Sequence, residues 1–311
     1  MKLLNKKISL GYVLAALFLT GTLVYSLGYK MAMDKFNNLV SNIYEKQKTY
    51  SILSEIDYNI RENCICDLQD DKVLSEISRG YISGIDDQVC NFFTKDEYKN
   101  YLESLNNDSG VDFTKLENGI LYMKCNSIPK NSAEIIKNNI DSAVSEGSNS
   151  LIIDLRNCKN SDDEEVFKII KNIMPAGDII SAVDKSGNSE VVCTSEGTNL
   201  NLKISVLVNE NTSGSCELIA SSLRNRENTK IVGAKTLGNT VRLKTVTLSD
   251  DSVIIFPDAY YITMDGENLF KKGIIPDVEI SLDKNQEESF LSGSLKLEDD
   301  LQLQSAIKVL E

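Results

Sequence analysis

This chain of 311 residues contains no histidine. That absence removes Ser-His-Asp and Cys-His nucleophilic arrangements, and with them the commonest zinc ligand. Any catalysis has to run on Lys, carboxylates, Ser or Cys. The seven cysteines, Cys64, Cys66, Cys90, Cys125, Cys158, Cys193 and Cys216, include no CxxC pair. A metal knuckle is therefore not expected, and neither a metal nor a cofactor is implied. Cys64 and Cys66 flank a single residue, too cramped for an easy mutual disulfide, and most of the seven read as small apolar fillers. An odd count leaves at least one free thiol. A basic cluster is lacking too: the net charge is −13 and the lysines are dispersed. No nucleic-acid partner is expected, since binding phosphates needs a basic face. Repeats and low-complexity tracts are also absent.

What the chain does have begins with residues 8–29, mostly apolar and free of charge. They are long enough to cross ~30 Å of hydrocarbon. Lys2, Lys6 and Lys7 precede them, which predicts that residues 1–30 comprise cytoplasmic lysines and a single-pass anchor in the cell membrane. A cleaved signal peptide is the alternative, but no A-x-A site follows and Met31-Ala32-Met33 is a poor substitute. Either way the body of the protein is expected outside the cytoplasm. Residues 34–105 predict helices, with Ile52, Ile56 and Ile60 four residues apart and a second stripe at Val73, Leu74, Ile77 and Tyr81.

Residues 116–283 alternate strand and helix patterns, which predicts an α/β core with a mostly parallel sheet. GILYMKCNSI (119–128) opens it as a strand, and a helix follows with Asn131 as N-cap and Glu134 as the returning partner of a capping box. LIIDL (151–155) is apolar on both faces, as a covered central strand must be. The next helix starts in the acidic turn 162–165 and buries Val166, Ile169, Ile170 and Ile173. KISVLVNENTSGSCELIASSL (203–223) is the pivot: strand, tight polar turn, then a helix N-terminus that gathers unpaired N–H groups at the carboxyl edge of a sheet. Beyond it, 230–233 predicts a short strand, and 241–248 with 252–263 an antiparallel pair. Residues 284–311 read as a charged tail with an amphipathic helix at 301–310.

Four segments of this core resemble the C-terminal processing peptidases, or tail-specific proteases. VNENTSGSCE (208–217) resembles their S-A-S-A-S-E loop, and LIIDLRNC (151–158) their L-I-L-D-L-R-N-N-P-G-G strand. IVGAKTLGNTVRL (231–243) is similar to V-G-E-K-T-F-G-K-G-x-V-Q, and KKGIIPDVEI (271–280) to G-K-G-I-x-P-D-V. The resemblance implies a ClpP/crotonase-like peptidase core, and 70–104 resembles the helical region before the family's substrate-gating module. The PDZ domain usual in that family has no room, because only 106–117 separates the helical region from the core.

The resemblance also implies where the chemistry would sit. The nucleophilic Ser falls on Gly214, the general-base Lys on Asn239, and the Gln that orients it on Leu243. The oxyanion loop N-P-G-G falls on Cys158, Lys159, Asn160 and Ser161. Glycine cannot attack, and Asn takes up no proton at neutral pH. The expectation is a catalytically inactive module that binds a peptide or an unfolded, exported protein. The alternative is an active serine-type endopeptidase on exported proteins with a shifted pair, Ser213 or Ser215 with Lys235. Cys216 reads as a buried helix residue, since no base stands beside it to make a thiolate.

Overall fold

The computed structural model describes residues 10–85, 89–106, 110–116, 119–159, 161–198 and 200–311. The chain divides into two compact units, Met1–Leu74 and Ser75–Glu311.

In the first unit, α1 (Leu10–Asn63) is one unbroken helix of 54 residues. Its stretch Val13–Asn37, 25 residues, is long and apolar enough to cross a membrane by length and composition. Side chains such as Phe18 and Leu19 there face outward, as do Ile52, Ile56 and Ile60 further along. α2 (Asp70–Ser83) starts on Asp70 and Asp71, whose charge suits the positive end of a helix. The helical region expected over 34–105 is thus shared between the two units rather than standing as one piece.

The second unit continues in chain order. β1 (Asn91–Phe93), α3 (Lys95–Asn106) and β2 (Val111–Lys115) lead to β3 (Leu121–Cys125), α4 (Ser132–Ser145), β4 (Ser150–Asp154) and α5 (Asp163–Ile173). Then come β5 (Gly177–Asp184), β6 (Ser189–Ser195), β7 (Lys203–Val208), α6 (Ser215–Arg224) and β8 (Thr229–Gly233). β9 (Val241–Thr247), β10 (Val253–Thr263), β11 (Val278–Glu279), α7 (Lys284–Leu291) and α8 (Leu301–Lys308) complete it.

Six strands form one sheet in the order β11-β8-β7-β4-β3-β2. All neighbours are parallel except β2 with β3. The short segment between α3 and β3, expected as a bare spacer, therefore supplies an edge strand. On one face α4, α5 and α6 bury Ile136, Ile140, Ile169, Ile170, Leu218 and Ile219 against Ile153, Ile204 and Val206. On the other, Leu303 and Ala306 of α8 pack against Tyr122, Ile152, Leu207 and Val232. Burial on both faces is why β4 and β7 read as continuous apolar runs. β9 and β10 pair antiparallel as expected, and a second sheet runs β1-β10-β5-β6 with β9 on the other edge of β10.

One expectation gains a contact and another is corrected. The segment 284–311, expected as a charged tail with a helix at 301–310, carries α8 and is tied to the sheet by a buried Arg156. Its guanidinium spans Asp154 at 2.6 Å and Asp300, the N-cap of α8, at 2.8 Å. Gln302 accepts at 3.0 Å, and the Phe290 ring lies 4.3 Å from the guanidinium carbon. The capping box at α4 does not form: Asn131 is left-handed (φ 71°) and its side chain makes no cap bond. The Glu165 carboxylate of α5 accepts from the Ala133 amide at 2.9 Å instead. A tertiary carboxylate has taken the place of a local one, and Glu134 stays in solvent.

Candidate functional site

The pivot folds as a strand, an elbow and a helix. β7 ends at Val208 and α6 begins at Ser215, so residues 209–214 have to reverse direction within a few bonds. Thr212 fastens the turn: its hydroxyl donates to the Leu155 carbonyl at 2.7 Å and accepts from the Asn209 amide at 3.0 Å. Asn209 and Asn157 exchange bonds across to the end of β4, at 2.9 Å each. The elbow closes on Gly214 at φ 65°, ψ −138°, a backbone state that L side chains rarely adopt. Hydrolases present a nucleophile on such a strained strand-to-helix turn, and glycine adopts it at least cost. A Cβ added at Gly214 would meet no atom within 4 Å. Space for a side chain persists there, without the side chain.

Glu217, fully buried in the first turn of α6, organises the facing loop. Its carboxylate accepts from the amides of Gly238 and Asn239, each at 2.7 Å, and from the Thr236 hydroxyl. Burial pushes this carboxyl above its ordinary pKa, and the hydrogen bonds from Thr236, Asn239 and Gly238 oppose that shift. The first turn of α6 and the loop 236–239 are therefore tied together by one carboxylate. Gly238 is obligatory in this loop: at φ 82° a Cβ would come within 2.5 Å of the Gly273 amide nitrogen. Asn239 is half-buried, and Leu243 is exposed on β9.

The shifted pair is not assembled. Lys235 is exposed, in the loop after β8. Among the described residues no hydrogen bond joins it to Ser213 or Ser215. Ser213 is half-buried, and its amide donates to the Cys158 carbonyl at 3.2 Å. Ser215 is buried and donates to Asp163 at the start of α5, whose other oxygen accepts from Tyr261 at 2.5 Å. Burial raises the Asp163 pKa, and the two hydroxyls work against it.

On the oxyanion side Cys158 is bonded to Cys216, with Cα atoms 6.3 Å apart. Most of the seven cysteines were expected as small apolar fillers; among the described residues this is the one disulfide, and Cys125 and Cys193 are buried. The bond links the end of β4 to the first turn of α6, and the Ser161 hydroxyl lies 2.8 Å from the Cys216 sulfur. Lys159 is exposed, and Asn160 lies outside the described residues. Among the described residues no group of three acidic or Cys side chains could hold a metal. A cavity of about 210 Å³ opens beside the elbow, lined by Asn157, Asn209, Asn211, Glu287 and Phe290. Neither Gly214 nor Asn239 lines it.

Sequence reasoning missed Glu217, Asp163, Tyr261 and the disulfide. Glu217 lay inside the quoted motif, so its place was visible but its role was not. Asp163 lay in an acidic turn whose charge had already been assigned to a helix end.

The pattern of peptidase family S41 matches residues 119–280, which hold the elbow, the Glu217 loop and the end of β4. The chain belongs to peptidase family S41. A probable CtpA-like serine protease of Staphylococcus haemolyticus is 28% identical over 174 residues, 55% of this S41 chain and 35% of that protein. One from Staphylococcus epidermidis is 29% identical over 180 residues, 57% of this chain and 36% of that one. The match thus spans about a third of the length of these curated relatives. Among solved structures, the photosystem II D1 C-terminal processing protease is similar with a TM-score of 0.53 at 21% identity, over 63% of this chain and 54% of that one. A lipoprotein from Streptococcus agalactiae is similar at 0.58 and 18% identity, over 78% and 88%. At such identities these structures speak for the fold alone.

Proposed function

We propose that this S41 chain is a membrane-anchored, extracytoplasmic protein that binds a peptide or an unfolded exported protein in the peptidase groove without cutting it. One observation carries the reading: the elbow keeps its nucleophile-presenting backbone with glycine at its apex, Gly214. The base position fails independently, because Asn239 cannot take a proton and Leu243 cannot orient one. Ser215 is committed to Asp163, and Lys235 stands in solvent. What remains usable is the groove itself, whose strand edges can pair with an extended chain through backbone hydrogen bonds. The lysines before residue 8 and the apolar stretch of α1 support a tether with the core outside.

The test is cleavage. Full chain in detergent micelles, incubated with casein and with a serine-directed phosphonate, should give neither fragments nor label. Cleavage that Ser213→Ala or Ser215→Ala abolishes would establish the shifted pair and overturn this reading.

A further inference from the structure

Cys158 and Cys216 lie 58 residues apart in sequence and meet across the elbow, both fully buried. Their Cα separation of 6.3 Å is one that a disulfide spans. Noncovalent bonds already hold the elbow there: Ser213 to the Cys158 carbonyl, Thr212 to the Leu155 carbonyl, and Ser215 to Asp163. The cross-link therefore adds little to the shape of the folded site. Its larger effect falls on the unfolded chain, whose freedom shrinks when a long loop is closed. Once α6 has packed, the sulfurs are out of reach of dissolved thiols, so exchange has to take place while the chain folds.

We propose that Cys158 and Cys216 form a redox clasp that makes the stability of the core depend on its compartment. With both thiols reduced, as on the cytoplasmic side, the core is less stable; with the bond formed outside, it is locked. The chemistry is thiol–disulfide exchange with a disulfide-bearing oxidant. One cysteine thiolate attacks a sulfur of the oxidant's disulfide, giving a mixed disulfide and releasing one oxidant thiolate. The second cysteine thiolate attacks the protein sulfur of that mixed disulfide, forming the Cys158–Cys216 bond and expelling the other. Two electrons pass to the oxidant, which leaves as a dithiol carrying the two protons. The compartment part rests on the proposed extracytoplasmic location; the stability part does not.

The experiment starts with acid quenching of intact cells and alkylation of free thiols in denaturant, followed by peptide mass analysis of the full chain. The expected result is a linked peptide pair holding Cys158 and Cys216, with neither joined to another cysteine. Purified chain refolded in dithiothreitol should then melt about 5–10 °C below the oxidised chain. The variant Cys158→Ser/Cys216→Ser should show no such shift; should it fail to fold, the reduced wild type carries the comparison. Equal melting of the reduced and oxidised chains, or a shift that persists in the double variant, overturns the clasp. Both thiols alkylated in the quenched cells, with the bond and the higher melting point appearing only after oxidation in vitro, overturns the compartment part and counts against the location, while cleavage is judged separately.

Discussion

Gly214 concentrates the problem that this protein poses at the scale of single residues. Its φ of 65° and ψ of −138° suit an elbow that presents a side chain, yet the residue has none to present. Gly214→Ser has room for its Cβ but has to pay for the backbone state, a cost of about 1–3 kcal/mol. Urea unfolding should find the variant less stable by that order, and unchanged stability would show that serine relaxes the elbow. The variant should also stay inactive, because a nucleophile without its base gains almost nothing and the two act as a unit. Gly214→Ser with Asn239→Lys is the minimum change that could restore weak cleavage. Asp163 offers a separate check through pH. Burial raises its folded pKa above the unfolded value, so its contribution to stability is fullest below the ordinary carboxylate range and fades as pH rises through the folded pKa. The melting temperature of wild type minus that of Asp163→Asn should therefore be larger at pH 4.5 than at pH 7. The opposite slope would mean that the Ser215 and Tyr261 hydrogen bonds outweigh burial.

Between elements, the Arg156 clasp on α8 matters most. Its guanidinium is almost wholly enclosed with Asp154 and Asp300, and Tyr122 adds a bond to Asp154 at 2.7 Å. Arg156→Met would leave two buried carboxylates without their cation, which costs about 3–5 kcal/mol. Hydrogen exchange should show α8 losing protection first; uniform loss over the whole sheet would mean that the clasp serves the sheet rather than the helix. This contact also marks the limit of what the sequence made legible. β4, β7 and α6 could be read because their signals are local: an apolar run, a polar turn, a helical stripe. The β5–β6 hairpin could not, since its tip reads DKSGNSE and only scattered residues such as Ile179, Ile180 and Cys193 face the core. α8 was visible as an amphipathic helix, but the surface it covers depends on Arg156, 144 residues earlier. The Asn131 capping box failed for a similar reason, because Glu165, from another helix, offered the amide a better-placed acceptor. At the site, the residues at the family-equivalent positions, Gly214, Asn239 and Leu243, were legible position by position. The replacement links, Glu217 to the loop and Cys158 to Cys216, were not, because they are made only in three dimensions.

At the scale of the whole molecule, with its net charge of −13, the proposed membrane tether turns on where the apolar stretch of α1 ends. α1 runs unbroken past its apolar stretch, which stops at Asn37, and continues to Asn63 as a polar helix. A signal sequence would be cut near the end of the apolar stretch, yet residues 30–37 hold no small-residue site; on the proposed tether Lys30, Asp34 and Lys35, in the last turns of that stretch, lie at the water interface. Placing such charges at the bilayer centre would cost ~2.5–3.5 kcal/mol each, so they fix where the span ends. In the proposed orientation Lys2, Lys6 and Lys7 keep the other end in the cytoplasm. The expected outcome is a chain that keeps its N-terminus, stays with membranes through an alkaline carbonate wash, and loses its core when intact cells are treated with protease. A shortened chain released by the wash would mean cleavage of a signal sequence. A full-length chain that resists the protease until the membrane is opened would reverse the orientation, and with it the oxidising surroundings on which the Cys158–Cys216 clasp depends.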